Sequence, residues 1–138
     1  MIFLLDTNVI SELRKLRPHG ALLNWYSSYA NSAFALPAIA LYEIQAGLEI
    51  TRQQDQAKAL EMEVWLESLI DETTILALDG PAAREAAQFM RGRSKVLIED
   101  AMIAAIAKVN GLTVATRNTR DFEHFAVPLV NPFLFPRS

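Results

Sequence analysis

Short, mainly apolar runs alternate with helix-forming stretches along the whole chain, and this alternation constrains the fold more than any other feature. The strand-like runs are Ile2–Leu5, Ala33–Leu36, Thr74–Leu78, Leu112–Ala115 and Val127–Val130. Strands that are apolar at successive positions are buried on both faces, as in a parallel sheet covered by helices. Helical periodicity fills the spaces between them, over Val9–Leu16, Ala21–Tyr29, Ala38–Ile50, Gln53–Ile70, Pro81–Arg91 and Asp100–Asn110. The pattern predicts an α/β fold with a mainly parallel sheet of four to five strands and helices on both faces. Asn110-Gly111 marks a helix end, and Asp79 ahead of Gly80-Pro81 a helix start. With no repeat, low-complexity tract or linker, residues 1–138 are expected to form one domain.

Composition narrows the function. A hydrophobic share of 51% suits a doubly covered sheet, and no apolar run approaches the ~20 residues of a membrane span. The first residues lack the basic flank and length of a signal peptide. Cysteine is absent, which excludes disulfides and thiolate metal ligands. A cytoplasmic location is therefore expected. The net charge of -3 is not that of a generally basic nucleic-acid binder, so any such binding needs a local patch. Arg14-Lys15-Arg17, Arg91-Arg93-Lys95 and Arg117-Arg120 are candidates, each alone best read as solvated surface.

Four carboxylates stand out among sixteen. Asp6 ends the first apolar run, where ligands gather in open α/β sheets; by position alone it is equally a helix cap or a site residue. Glu43 shares a helix face with Ile39, Ala40, Ala46 and Gly47, so it is either poorly solvated or at the edge of that stripe. Asp100 opens an apolar helix and shares a face with Ile103, Ala104 and Ala107; Glu99 competes with it, and helical phase favours Asp100. Asp121 follows the fourth run, together with Thr116 and Asn118. Taken singly, each has a bland reading as a cap, a dipole partner or a turn residue.

As a set they mean more. Carboxylates converging on one sheet edge repel and raise one another's pKa unless cations neutralise them. An all-oxygen site selects Mg²⁺ or Mn²⁺ over zinc. Such ions lower the pKa of an attacking water and screen charge at a phosphodiester. Asp6 is then a ligand held still by a buried strand.

In order along the chain, MIFLLDTNVISELRK, the helix containing Tyr42-Glu43, IEDAMIAAIA and VATRNTRDF resemble PIN-domain ribonucleases, in particular VapC-type toxins of the FitB-like branch. The resemblance covers nearly the whole chain and implies a PIN-like three-layer α/β/α sandwich. It implies an acidic triad of Asp6, Glu43 and Asp100, with Asp121 as a fourth acid. Thr7, Thr116 and Asn118 match polar positions that orient the carboxylates, water or phosphate. It further implies a Mg²⁺-dependent endoribonuclease, the toxin of a toxin–antitoxin pair, leaving 5′-phosphate and 3′-hydroxyl ends. A cognate antitoxin and a homodimer are the implied partners. Arg91, Arg93, Lys95 and Arg117 are the expected RNA-backbone contacts. Leu22-Leu23-Trp25-Tyr26 and Leu60-Trp65-Leu66-Leu69 could supply an antitoxin groove, although such spacing usually denotes core. The rival readings are a non-catalytic metal- or RNA-binding module and a DNA-directed nuclease of the same fold. A small-molecule phosphatase ranks lower, because position 8 is Asn where that chemistry wants a second Asp.

Overall fold

The computed structural model describes residues 1–136. Strand β1 (Phe3–Leu5) lies at the middle of a five-stranded sheet with β2 (Phe34–Pro37), β3 (Thr74–Leu76), β4 (Thr113–Ala115) and β5 (Leu129–Val130). The order is β3-β2-β1-β4-β5, and every pair is parallel. Helices α1 (Thr7–Leu13) and α2 (Gly20–Ser27) join β1 to β2, and α3 (Ala38–Gln54) and α4 (Gln56–Glu72) join β2 to β3. Helices α5 (Gly80–Phe89) and α6 (Ile98–Asn110) join β3 to β4, and the single turn α7 (Thr119–Phe122) precedes β5.

Strand alternation sends successive side chains to opposite layers. Leu4, Ala35 and Val114 pack with α5, α6 and Phe122 on one face. Phe3, Leu5, Phe34, Leu36 and Ala115 pack with Val9, Ile10, Leu22 and Trp25 on the other. This three-layer sandwich explains why the strands are apolar throughout. In α6, Ala101, Ile103, Ala104, Ala105, Ile106 and Ala107 are all buried, and the small alanines let that helix sit close between the sheet and α5.

Several boundaries move for local reasons. The expected break after Ile50 falls at Asp55, whose side chain caps α4 by accepting the Lys58 N–H at 3.0 Å. The last strand begins at Leu129 rather than Val127, since Pro128 has no N–H to give a ladder. Asp79 caps α5 as expected, accepting the Ala82 N–H, and Gly111 ends α6 at φ 67. No helix among the described residues is long and apolar enough to cross a membrane.

From β1 the chain builds outward on one side through β2 and returns on the other as β4. The carboxyl ends of β1 and β4 therefore form the switch point, where such sheets open a crevice.

Candidate active site

Asp6 and Thr116 meet at that switch point. Leu5 and Ala115 are register partners, and the Asp6 N–H donates to the Ala115 carbonyl at 2.9 Å, so the next residues of both strands stand side by side. Asp6 is only 5% exposed. Its Oδ1 accepts the Thr7 N–H at 2.8 Å, while Oδ2 accepts the Thr116 hydroxyl at 2.8 Å and the Asn8 amide at 3.0 Å. It is thus a helix cap and a residue clamped to β4 at once. Burial pushes its pKa up, against the hydrogen bonds from Thr116, Thr7 and Asn8, and the charge of Asp121 pushes the same way as burial.

Glu43 comes from the second turn of α3, where the Thr7 hydroxyl donates to its Oε1 at 3.0 Å. It sits half-buried at the edge of its stripe: Ala40 is covered, whereas Ala46 and Gly47 are exposed. Its pKa rises to about 7, through burial first, then the charge and hydrogen-bonding approach of Glu99, then Asp6. Asp100, half-buried in the first turn of α6, is pushed up to about 6 by burial and by the charges of Asp6, Asp121 and Glu99. Asp121 is exposed on α7, and its charge reaches both Asp6 and Asp100.

The fold therefore brings Asp100 and Asp121 within electrostatic reach of Asp6 and of each other, and Asp6 within reach of Glu43. Two further residues belong to the same cluster. Glu99, weighed in the sequence only as a competitor of Asp100, acts on both Glu43 and Asp100. Asn8 bridges Asp6 and the β4–α7 loop, accepting the Arg117 N–H at 3.1 Å. The only local signal for Asn8 was its place beside Asp6-Thr7. Asn118 touches the site through its backbone N–H, which donates to the Thr116 hydroxyl oxygen at 3.0 Å.

The basic candidates divide. Arg93 donates to the carbonyls of Phe89 and His124 and lies over the Phe125 ring, so it ties the α5–α6 connection to the segment that follows α7. The Arg117 guanidinium stacks 4.3 Å from the Phe133 ring centroid. Arg91 and Lys95 are exposed. Lys95 borders an apolar recess of about 430 Å³ between α5 and α6 that holds none of the four acids.

As placed, no three His, Asp or Glu side chains among the described residues form a ready-made metal cage. In charge and donor type the cluster still fits a hard divalent cation, because mutual repulsion contributes to the raised pKa of Asp6, Glu43 and Asp100.

A pH prediction follows from these shifts. Glu43 and Asp100 have folded-state pKa values above their ordinary 4.5 and 3.8, so their contribution to stability is fully present below about pH 4 and is lost as pH rises through 6 to 7. Metal-free protein is expected to melt at a higher temperature at pH 5 than at pH 8. Asp100→Asn should reduce that difference; an unchanged difference in thermal melts with EDTA would contradict the assignment.

A parallel sheet in this order, covered on both faces and with acids at its switch point, is the PIN-like α/β/α architecture. The PIN domain family matches residues 3–128. The chain is 36% identical to the VapC ribonuclease Y4jK of Sinorhizobium fredii, over 96% of this chain and 98% of that protein. It is 33% identical to the toxin FitB of Neisseria gonorrhoeae, covering 96% and 99%. The crystal structure of FitAcB from Neisseria gonorrhoeae superposes with a TM-score of 0.85 at 32% identity, over 97% of this chain and 100% of that one. The chain belongs to the PIN-domain family, within its VapC-type, FitB-like branch.

Proposed function

We propose that the chain is a metal-dependent endoribonuclease, the toxin of a toxin–antitoxin pair, which cuts RNA phosphodiesters in the cytoplasm and so arrests translation and growth. The observation that carries this reading is the convergence of Asp6, Glu43 and Asp100 from three separate elements, each with a pKa raised partly by neighbouring acids. The relatives named a ribonuclease and a toxin support the same reading at 36% and 33% identity.

Asp6, Glu43, Asp100 and Asp121 would hold Mg²⁺, or Mn²⁺, directly or through water. Such an ion supplies an activated water and screens the charge that builds on the phosphate. The chain's own residues do the rest. Hydrogen bonds from Thr116, Asn8 and the Thr7 amide favour the charged form of Asp6 against its burial and hold the side chain still. Burial and the neighbouring Glu99 and Asp6 charges raise the pKa of Glu43 to about 7 in the metal-free protein; a bound cation would offset that repulsion and hold Glu43 as a carboxylate, with the Thr7 hydroxyl fixing its Oε1. Arg91, Arg93 and Lys95 are all exposed; Arg91 and Lys95, without the carbonyl bonds that Arg93 makes to Phe89 and His124, are the cations best placed to reach the RNA backbone.

For the antitoxin, the apolar candidates split. Leu22, Trp25 and Leu66 are core, whereas Leu13, Leu23, Tyr26, Trp65 and Leu69 line a groove of about 220 Å³ between α1, α2 and α4. That groove suits an apolar partner segment, and the acids beyond it suit a partner cation. A homodimer is part of the same reading.

The test is wild-type protein on total RNA, with Mg²⁺ and then with excess EDTA. Discrete fragments with 5′-phosphate ends that vanish on chelation support the reading. Cleavage that survives EDTA overturns metal dependence. Cleavage of DNA but not RNA under the same conditions overturns the substrate class.

A further inference from the structure

The least expected member of the cluster is Asn8, and its hydrogen bonds can be followed to a definite end. Its side chain lies in the first turn of α1, between the ends of β1 and β4. The Arg117 backbone N–H, 3.1 Å away, can only donate, so it must face the Asn8 carbonyl oxygen. The NH₂ end is thereby turned toward Asp6 Oδ2 at 3.0 Å, with Thr116 Oγ1 at 3.4 Å. Hydrogen-bond partners decide which way an amide faces, and here they leave one choice.

The same reasoning orients Thr116. Its hydroxyl oxygen accepts the Asn118 N–H at 3.0 Å, so its own proton goes to Asp6 Oδ2 at 2.8 Å. Oδ2 therefore receives two donors, both from groups braced by the β4–α7 loop. Oδ1 receives one, the Thr7 N–H. A carboxylate offers about four lone-pair sites, so the one left over belongs to Oδ1.

We propose that Asn8 is a positioning residue: its amide saturates Asp6 Oδ2, presents Oδ1 to a divalent cation, and locks that choice to the loop that carries Asn118 and Asp121. This rests on the metal-dependent reading above. Partners that orient metal ligands are typically worth 10–100-fold in metal affinity.

The test is Mn²⁺ binding to the metal-free full-length protein, followed by calorimetry and by the paramagnetic signal of free Mn²⁺. Wild type, Asp6→Asn and Asn8→Leu are compared, with amide hydrogen exchange at Arg117 as a readout that needs no metal. Asn8→Leu keeps the bulk and removes both hydrogen-bonding ends; Asn8→Ser, too short to span Asp6 and Arg117 together, stands in if the Leu variant does not fold. The expected result is a 10–100-fold weaker Mn²⁺ affinity in protein that remains folded, with faster exchange at Arg117. Faster exchange with Mn²⁺ affinity within about two-fold of wild type would overturn the proposal, leaving Asn8 a structural tie alone. Wild type and Asp6→Asn that both fail to bind Mn²⁺ would overturn the metal-dependent reading, and this proposal with it.

Discussion

If the chain cuts RNA as proposed, Asp6→Asn is expected to lose cleavage by at least about 10³-fold, some 4 kcal/mol of activation free energy, while the protein still folds. The reason lies in how Asp6 is held. All three hydrogen bonds of its carboxylate are donated to it, by the Thr7 amide, the Thr116 hydroxyl and the Asn8 amide. An asparagine there offers one oxygen in place of two, so its NH₂ must face at least one donor and a contact of about 1–2 kcal/mol is lost. Removing a buried charge works in the opposite direction, since burial is what pushes the Asp6 pKa up. The net change in stability should be small while the change in activity is large. Initial rates on an RNA oligonucleotide, alongside thermal melts of both proteins, separate the two. Activity within ten-fold of wild type would remove Asp6 from the site.

The largest structural effect is expected at Phe122. This ring is fully buried among the side chains of α6 and Phe125, directly after the exposed Asp121 on a helix of four residues. A helix so short has no stability of its own, so its position is that of its anchor. Phe122→Ala should cost about 3–5 kcal/mol, a large share of a domain's total of roughly 5–15. Denaturant melts should show the loss. Asp121 should lose its fixed place as well, so residual cleavage at a temperature where the variant is folded is expected to fall too. A variant destabilised by less than about 1 kcal/mol would mean that the loop is anchored elsewhere.

Much of the fold was legible in the sequence because local patterns encode it. Runs such as Ile2–Leu5 showed strands covered on both faces, and Asp79 and Gly111 marked helix ends that the structure reproduces. The errors were equally local. Asp55 was not recognised as a cap, and the strand-like look of Val127 overlooked the Pro128 beside it. For the acids, helical phase put Asp100 rather than Glu99 on the buried side, which the exposures agree with, but it had no way to show that Glu99 leans on Glu43. Charge count offered Arg93 and Arg117 as nucleic-acid contacts, and only the structure showed the hydrogen bonds of Arg93 to the Phe89 and His124 carbonyls and the stacking of Arg117 on the Phe133 ring.

Local sequence, then, set the alternation of elements, their caps and the residue types able to do acid chemistry, because each of these depends on neighbours a few positions away. The order β3-β2-β1-β4-β5, the meeting of Asp6 with Thr116 across 110 positions and the raised pKa values of Glu43 and Asp100 were decided by tertiary structure. Strand pairing and the packing of α3, α6 and α7 against the sheet choose which carboxylates become neighbours, and burial chooses how much solvent is left to screen them.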